Sequence, residues 1–209
     1  MIYDITRTIG TMTRVWPGDT PFSAKHIMRI EDGSSVNLTT MTLSAHTGTH
    51  VDAYYHYQAA GAYLAAMPLE PYIGPARVVT VSKGDGPLRP ADFDHVELAG
   101  TKRLLIHSPV SDLEDNEWPE QFPYLSVELI EWLAQLGVIM IGLDSPSVDA
   151  FTSQDLPCHH ALGKAKIVNI ETLYLRDVPD GEYELITLPL KIDGVCGAPV
   201  RAILRIIDQ

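Results

Sequence analysis

The chain has 209 residues, of which 45% are hydrophobic and 20% charged, and a formal charge of −12. That is the profile of a globular protein with a sizeable core. The acidic balance and the lack of a basic stripe argue against nucleic acid as a partner, and no apolar stretch is long enough to span a bilayer. There is no basic segment followed by an apolar run at the N-terminus, and Cys158 and Cys196 form no disulfide framework, so a cytoplasmic, reducing setting is the expectation.

Taken in chain order, β-branched apolar runs set off by Gly and Pro predict strands at 25–30, 36–45, 77–81, 103–107, 138–143, 167–170, 185–192 and 200–207. Helix signals are fewer. The clearest runs from Ser126, a suitable N-cap, through the stripe Leu129, Ile130, Leu133 and Leu136 to Gly137, which can take the left-handed exit conformation. Shorter helical turns are predicted near 90–94 and 157–164. No repeat, low-complexity tract or long polar linker divides the chain, which predicts a single domain over 1–209. Many strands with few helices predict an α/β fold built on a mixed sheet or open barrel, not an alternating doubly wound one.

The segment His46-Thr47-Gly48-Thr49-His50-Val51-Asp52-Ala53-Tyr54-Tyr55-His56 carries the strongest chemical signal. Its ligand-type side chains all sit at even positions. In an extended strand these share one face, so His46, His50, Asp52 and His56 would converge, whereas a helix would swing His56 away from the His46–His50 pair. The β-branched Thr47, Thr49 and Val51 favour the strand, and Gly48 permits close backbone approach. Such a set suits a metal ion.

A second cluster lies downstream, at Cys158-His159-His160 and Glu171. Glu171 ends the apolar run 167–170, where a carboxylate is either buried against a cation or exposed and paired with Arg or Lys. Of the adjacent histidines only one can readily face the same ion. Cys158 beside His159 makes a poor nucleophile–base pair, because sequence neighbours seldom meet in catalytic geometry. His26, His95 and His107 read as surface or strand residues. The acidic run 112–117 reads as a solvated loop, with a place at a pocket mouth as the alternative.

The stretches Val15-Trp16-Pro17-Gly18-Asp19-Thr20-Pro21-Phe22, His46 to His56, Gly142-Leu143-Asp144-Ser145-Pro146-Ser147-Val148-Asp149 and Pro189 to Arg205 together resemble bacterial kynurenine formamidases, members of the metal-dependent cyclase-like amidohydrolase family. The resemblance runs in order over nearly the whole chain. It implies a swivelling β/β/α-type fold, a homodimer, and two zinc ions per subunit, although His and carboxylate donors also suit manganese or cobalt. It further implies that His46 and His50 hold one ion, that Asp52 and Glu171 bridge both, that His159 holds the second, that His56 is catalytic and that Trp16 contacts the substrate. Most relatives carry Pro where this chain has Tyr54. That tyrosine either packs structurally or reaches the substrate.

The activity implied is hydrolysis of an aromatic formamide, N-formyl-L-kynurenine, to L-kynurenine and formate in tryptophan breakdown. An ion held by imidazoles and carboxylates brings the pKa of water towards neutrality, and a histidine near pKa 6.5 suits the proton transfers. The alternatives are a related metal-dependent hydrolase of a cyclic amide such as isatin or of a lactone, and a metal-loaded binding protein without turnover. A substrate bearing its own carboxylate calls for a cationic partner, with Arg14 as one candidate.

Overall fold

A computed structural model of the chain describes residues 1–207. In chain order the elements are β1 (Ile2–Asp4), β2 (Ser23–Met28), β3 (Leu38–Thr42), β4 (His50–Asp52), β5 (Ile73–Thr80), β6 (Gly86–Leu88), β7 (Arg103–His107), β8 (Pro123–Leu125), α1 (Val127–Gln135), β9 (Met140–Leu143), α2 (Pro157–Ala165), β10 (Val168–Glu171), β11 (Gly181–Ile186), β12 (Gly197–Pro199) and β13 (Ile203–Ile206).

Nine strands form one mixed sheet in the order β1-β13-β11-β5-β7-β9-β10-β4-β12. The central four, β5, β7, β9 and β10, are parallel, and both flanks continue antiparallel. The centre is buried on both faces, as parallel strands require. Leu105, Met140, Val168 and Ile170 enter one apolar cluster with Val51, Tyr72 and Leu204. Leu104, Ile106, Ile141 and Leu143 enter a second, covered by Leu129, Ile130 and Leu133 of α1 and Leu162 of α2.

Local sequence accounts for α1 closely. Ser126 accepts a hydrogen bond from the Leu129 N–H, capping a free donor of the first turn, and Gly137 leaves the helix at φ +83°. The predicted strand over 185–192 is instead cut at Ile186. Pro189 has no N–H for a ladder, and Leu188, Leu190 and Ile192 stand exposed. The predicted turn at 90–94 is a 3-10 turn at Pro90–Phe93, and that at 157–164 is α2. Outside the main sheet, β2 and β3 form an antiparallel hairpin in which every residue is exposed.

Candidate metal centre

The antiparallel pair β4 and β10 builds the floor of the site. Glu171 lies opposite His50 and Ile170 opposite Val51. Alternation therefore sends His50, Asp52, Asn169 and Glu171 to the face that carries the helices, while Val51 and Ile170 point into the apolar cluster behind. One strand pair thus supplies two carboxylates, an imidazole and a carboxamide, all buried.

His46 and His56 do not arrive by strand parity, which corrects the expectation of one extended strand from 46 to 56. Only His50–Asp52 is strand. His46 lies in a turn that passes through Gly48 at φ +63°, a conformation that costs glycine little. A Cβ there would also meet the Ile9 side chain at 2.9 Å. The carbonyl of Gly48 is used twice, by the Thr172 hydroxyl and by His50 Nδ1 at 2.9 Å. Beyond the strand, residues 54–56 form a 3-10 turn that returns His56 over the site, with its ring centroid 4.1 Å from that of His46 and 5.7 Å from that of His159.

His159 comes from the first turn of α2. The helix starts after Leu156, in the left-handed region at φ 44°, with Pro157 at its first position. Its free N–H groups go to Asp149, whose Oδ1 accepts from Cys158 N at 2.8 Å and whose Oδ2 accepts from His159 N at 3.0 Å. The same Oδ2 lies 2.7 Å from His159 Nδ1. Asp149 therefore caps the helix and leaves Nε2 of His159 as the outward nitrogen. His160, one residue on, is exposed.

The donor atoms sort into two sets. On one side, His50 Nε2 stands 3.6 Å from Asp52 Oδ1 and 3.4 Å from Glu171 Oε2, and His46 Nδ1 lies 2.9 Å from the same Asp52 Oδ1. On the other, His159 Nε2 stands 3.5 Å from Asp52 Oδ2 and 3.6 Å from Glu171 Oε1. Each carboxylate thus offers one oxygen to each set. Separations of 3.4–3.6 Å are long for hydrogen bonds, and buried Asp52 Oδ1 accepts no well-directed hydrogen bond despite its close neighbour. Lone pairs converging on one point are what a cation satisfies, so the residues fit a metal. Donor atoms of His46, His50 and Asp52, of Asp52, His56 and His159, and of His46, His56 and Cys196 lie within 4.8 Å of one another.

Charge supports this. Burial opposes protonation of His46, but Asp52 and Cys196 outweigh it and hold the pKa at about 10. Burial likewise opposes protonation of His159, which Asp149 and Asp52 raise to about 10. Burial works against the Asp52 anion, yet His159 and His46 keep its carboxyl well below the usual range. A cation bound there would have to displace any protons these imidazoles carry. For His56 the balance differs: crowding lowers its pKa, the Asp52 and Glu171 carboxylates oppose that, and His46 and His159 reinforce it. Its ring keeps a solvent-exposed surface in the cavity.

The centre opens into a cavity of about 490 Å³ whose lining includes Arg14, Trp16, His56, Trp118 and Thr172. Trp16 packs edge-on against Trp118, with ring centroids 5.8 Å apart, and tilted against Phe151 at 5.0 Å. Glu114, Asp115 and Glu117 also line the cavity, so the acidic run lies at a pocket mouth and not in a detached solvated loop. Cations offset it there: Arg7 pairs with Asp115 at 3.3 Å and Arg176 with Glu114 at 3.2 Å. Arg14 donates to the Asn116 carbonyl at 3.0 Å. Tyr54 packs against the apolar cluster behind the sheet and is not in the cavity wall. Cys158 is buried, with its thiol pushed up by burial and by Asp149 and directed at the Leu125 carbonyl, which suits packing.

Three polar residues of the centre were not singled out from sequence. Asn169 donates through Nδ2 to Asp52 Oδ2 at 2.7 Å and to Glu171 Oε1 at 3.2 Å, tying the two carboxylates together. It stands two residues before Glu171, so period-two alternation carried back along β10 finds it. Asp149 caps α2 from outside the N-cap position, which Leu156 occupies, so no local capping pattern marks it. Cys196, with Sγ 3.1 Å from His46 Nε2, is 150 positions from its partner, and no local pattern joins them.

Residues 3–150 match the family model named Cyclase. The chain is similar to a protein from Salinibacter ruber named kynurenine formamidase, with 45% identity covering 98% of this chain and 97% of that one. A solved structure described as a potential metal-dependent hydrolase with cyclase activity superposes with a TM-score of 0.85 at 25% identity, over 98% of this chain and 96% of the other. Isatin hydrolase A from Labrenzia aggregata, at 24% identity and a TM-score of 0.83 over 98% and 93%, shares the fold. An α/β chain with two helices against a nine-stranded mixed sheet, matched in sequence along most of its length, therefore belongs to the cyclase family.

Proposed function

We propose that this chain is a metal-dependent arylformamidase, a kynurenine formamidase that hydrolyses N-formyl-L-kynurenine to L-kynurenine and formate. The observation that carries the reading is the pair of donor sets sharing Asp52 and Glu171, next to an aromatic-walled cavity. In this reading His46 and His50 would hold one ion and His159 the other, with Asp52 and Glu171 available to both. Two zinc ions are the expected pair. Ions so held supply Lewis acidity towards the formyl oxygen and bring the pKa of water towards neutrality. His56 is the proton carrier. It takes the proton released as water adds to the formyl carbon, and returns it to the anilide nitrogen as the C–N bond breaks. Its lowered pKa keeps it neutral, and so able to accept, near pH 7. Trp16, braced by Trp118 and Phe151, offers a face for the substrate ring, worth about 0.5–1.5 kcal/mol beyond area burial. We read the chain as one domain over 1–209, acting in the cytoplasm as a homodimer.

The test is release of formate from N-formyl-L-kynurenine by protein reconstituted with zinc, with isatin and a simple lactone assayed in parallel. Turnover of the formamide well above the cyclic compounds is the expected result. No turnover of any compound at full metal occupancy would point to a binding protein instead.

A further inference from the structure

His46 is held differently from the other two ligand histidines. His50 and His159 direct Nδ1 at oxygen acceptors, the Gly48 carbonyl at 2.9 Å and Asp149 at 2.7 Å, and turn Nε2 towards the carboxylates. His46 is reversed: Nδ1 lies 2.9 Å from Asp52 Oδ1, and Nε2 lies 3.1 Å from the Sγ of Cys196. A neutral imidazole coordinates through one nitrogen and carries its proton on the other. Because Nδ1 faces the oxygen that His50 also approaches, the ion belongs on the Nδ1 side. The sulfur then lies across the ring, outside the coordination sphere.

The seat around this ring is closely built. A Cβ on Gly197 would meet His46 Cε1 at 2.9 Å and Nδ1 at 3.4 Å, so the glycine after Cys196 leaves room for the ring and nothing more. His56 covers another side, at 4.1 Å between centroids and 39° between planes. Gly197 opens β12 and pairs with Asp52 of β4, and Cys196, the residue just before the strand, accepts from Ala53 N through its carbonyl at 2.8 Å. The socket for His46 is therefore anchored to the strand that carries Asp52.

We propose that Cys196 is a positioning residue of the metal centre, its sulfur accepting the Nε2–H of His46 and so fixing the tautomer that presents Nδ1 to the first ion. The inference rests on the metal-centre reading given above. It is tested by titrating apoprotein with Zn²⁺ against a competing chelator, and by absorption spectroscopy of the Co²⁺-loaded protein. Cys196→Ala is expected to weaken first-ion affinity by about 10–100-fold, the usual effect of losing an outer-shell partner. Cys196→Ser, whose hydroxyl also accepts, is expected to recover most of it. Circular dichroism of the two apoproteins should match wild type. No sulfur-to-cobalt charge-transfer band is expected in wild type, whereas the d–d bands should shift in the alanine variant and return in the serine variant. Unchanged Zn²⁺ affinity in Cys196→Ala, alongside a large loss in His50→Ala, would overturn the positioning role alone. A charge-transfer band abolished by Cys196→Ser would overturn it by making the sulfur a ligand. Full affinity in both Cys196→Ala and His50→Ala would remove the metal centre, and this role with it.

Discussion

His56 differs from His46 and His159 in being exposed and in having a pKa pushed down, not up. That separates moving a proton from holding an ion. Replacing it with alanine is expected to lower kcat by about 10²–10⁴-fold, the range for a positioned acid–base group, with metal content by elemental analysis unchanged. Asp52→Ala is expected to do the opposite first, stripping metal, because both donor sets use its oxygens. Period-two alternation read His50 and Asp52 correctly, since these do lie on a strand. It reached His46 and His56 for a reason the structure does not share: both are returned to the site by turns, and turn geometry is poorly marked by side-chain parity. Asn169 was equally legible by the same rule, two residues from Glu171, but an amide has no obvious chemistry until its carboxylate partners are known.

At the scale of elements, α2 shows how a local structural need and a functional one share a residue. Leu156 is non-helical at φ 44°, so the first-turn donors depend on Asp149, nine and ten residues from the N–H groups it accepts. Asp149→Ala should cost about 0.5–2 kcal/mol of apoprotein stability in urea denaturation, the worth of a lost cap, and, on the proposed two-ion reading, should weaken binding at His159 more than at His46 and His50. Metal titration that resolves the two ions checks this. The β2–β3 hairpin poses a different problem. Isolated two-stranded hairpins are marginal in water, yet this one exposes Ile27, Met28, Leu38 and Met41, an apolar surface of the kind that marks association. If the proposed homodimer forms through this face, Leu38→Asp with Met41→Asp should yield a monomer by analytical ultracentrifugation while the far-ultraviolet dichroism is retained; a dimer that survives both changes would place its interface elsewhere. β-Branched apolar runs predicted these strands but not their isolation from the main sheet, because such a run marks extended backbone and does not say what pairs with it or covers it.

For the whole molecule, the two apolar clusters and the metal centre are distinct layers. Val51 and Ile170 seal one face of β4 and β10, and the ligands occupy the other. Burial behind the sheet and under α1 involves none of the ligands except through the strands they share, so the fold closes without an ion. On the proposed reading the ligands come from residues 46–52, 159 and 171, three stretches far apart in sequence, and the first ion to bind there favours the folded chain strongly over the unfolded one. Its stabilisation follows RT ln(1 + [L]/Kd), about 2.7 kcal/mol at free metal 100-fold above Kd. A chain of this length shifts Tm by about 2–4 °C per kcal/mol, which gives about 5–11 °C. Protein stripped by chelator should therefore keep its native dichroism and melt cooperatively, and Zn²⁺ should raise its Tm by that amount in a concentration-dependent way. A stripped protein with no cooperative melt would mean that the ion is part of the folding core. An unchanged Tm at saturating Zn²⁺ would mean that the two carboxylates are satisfied by imidazolium partners alone.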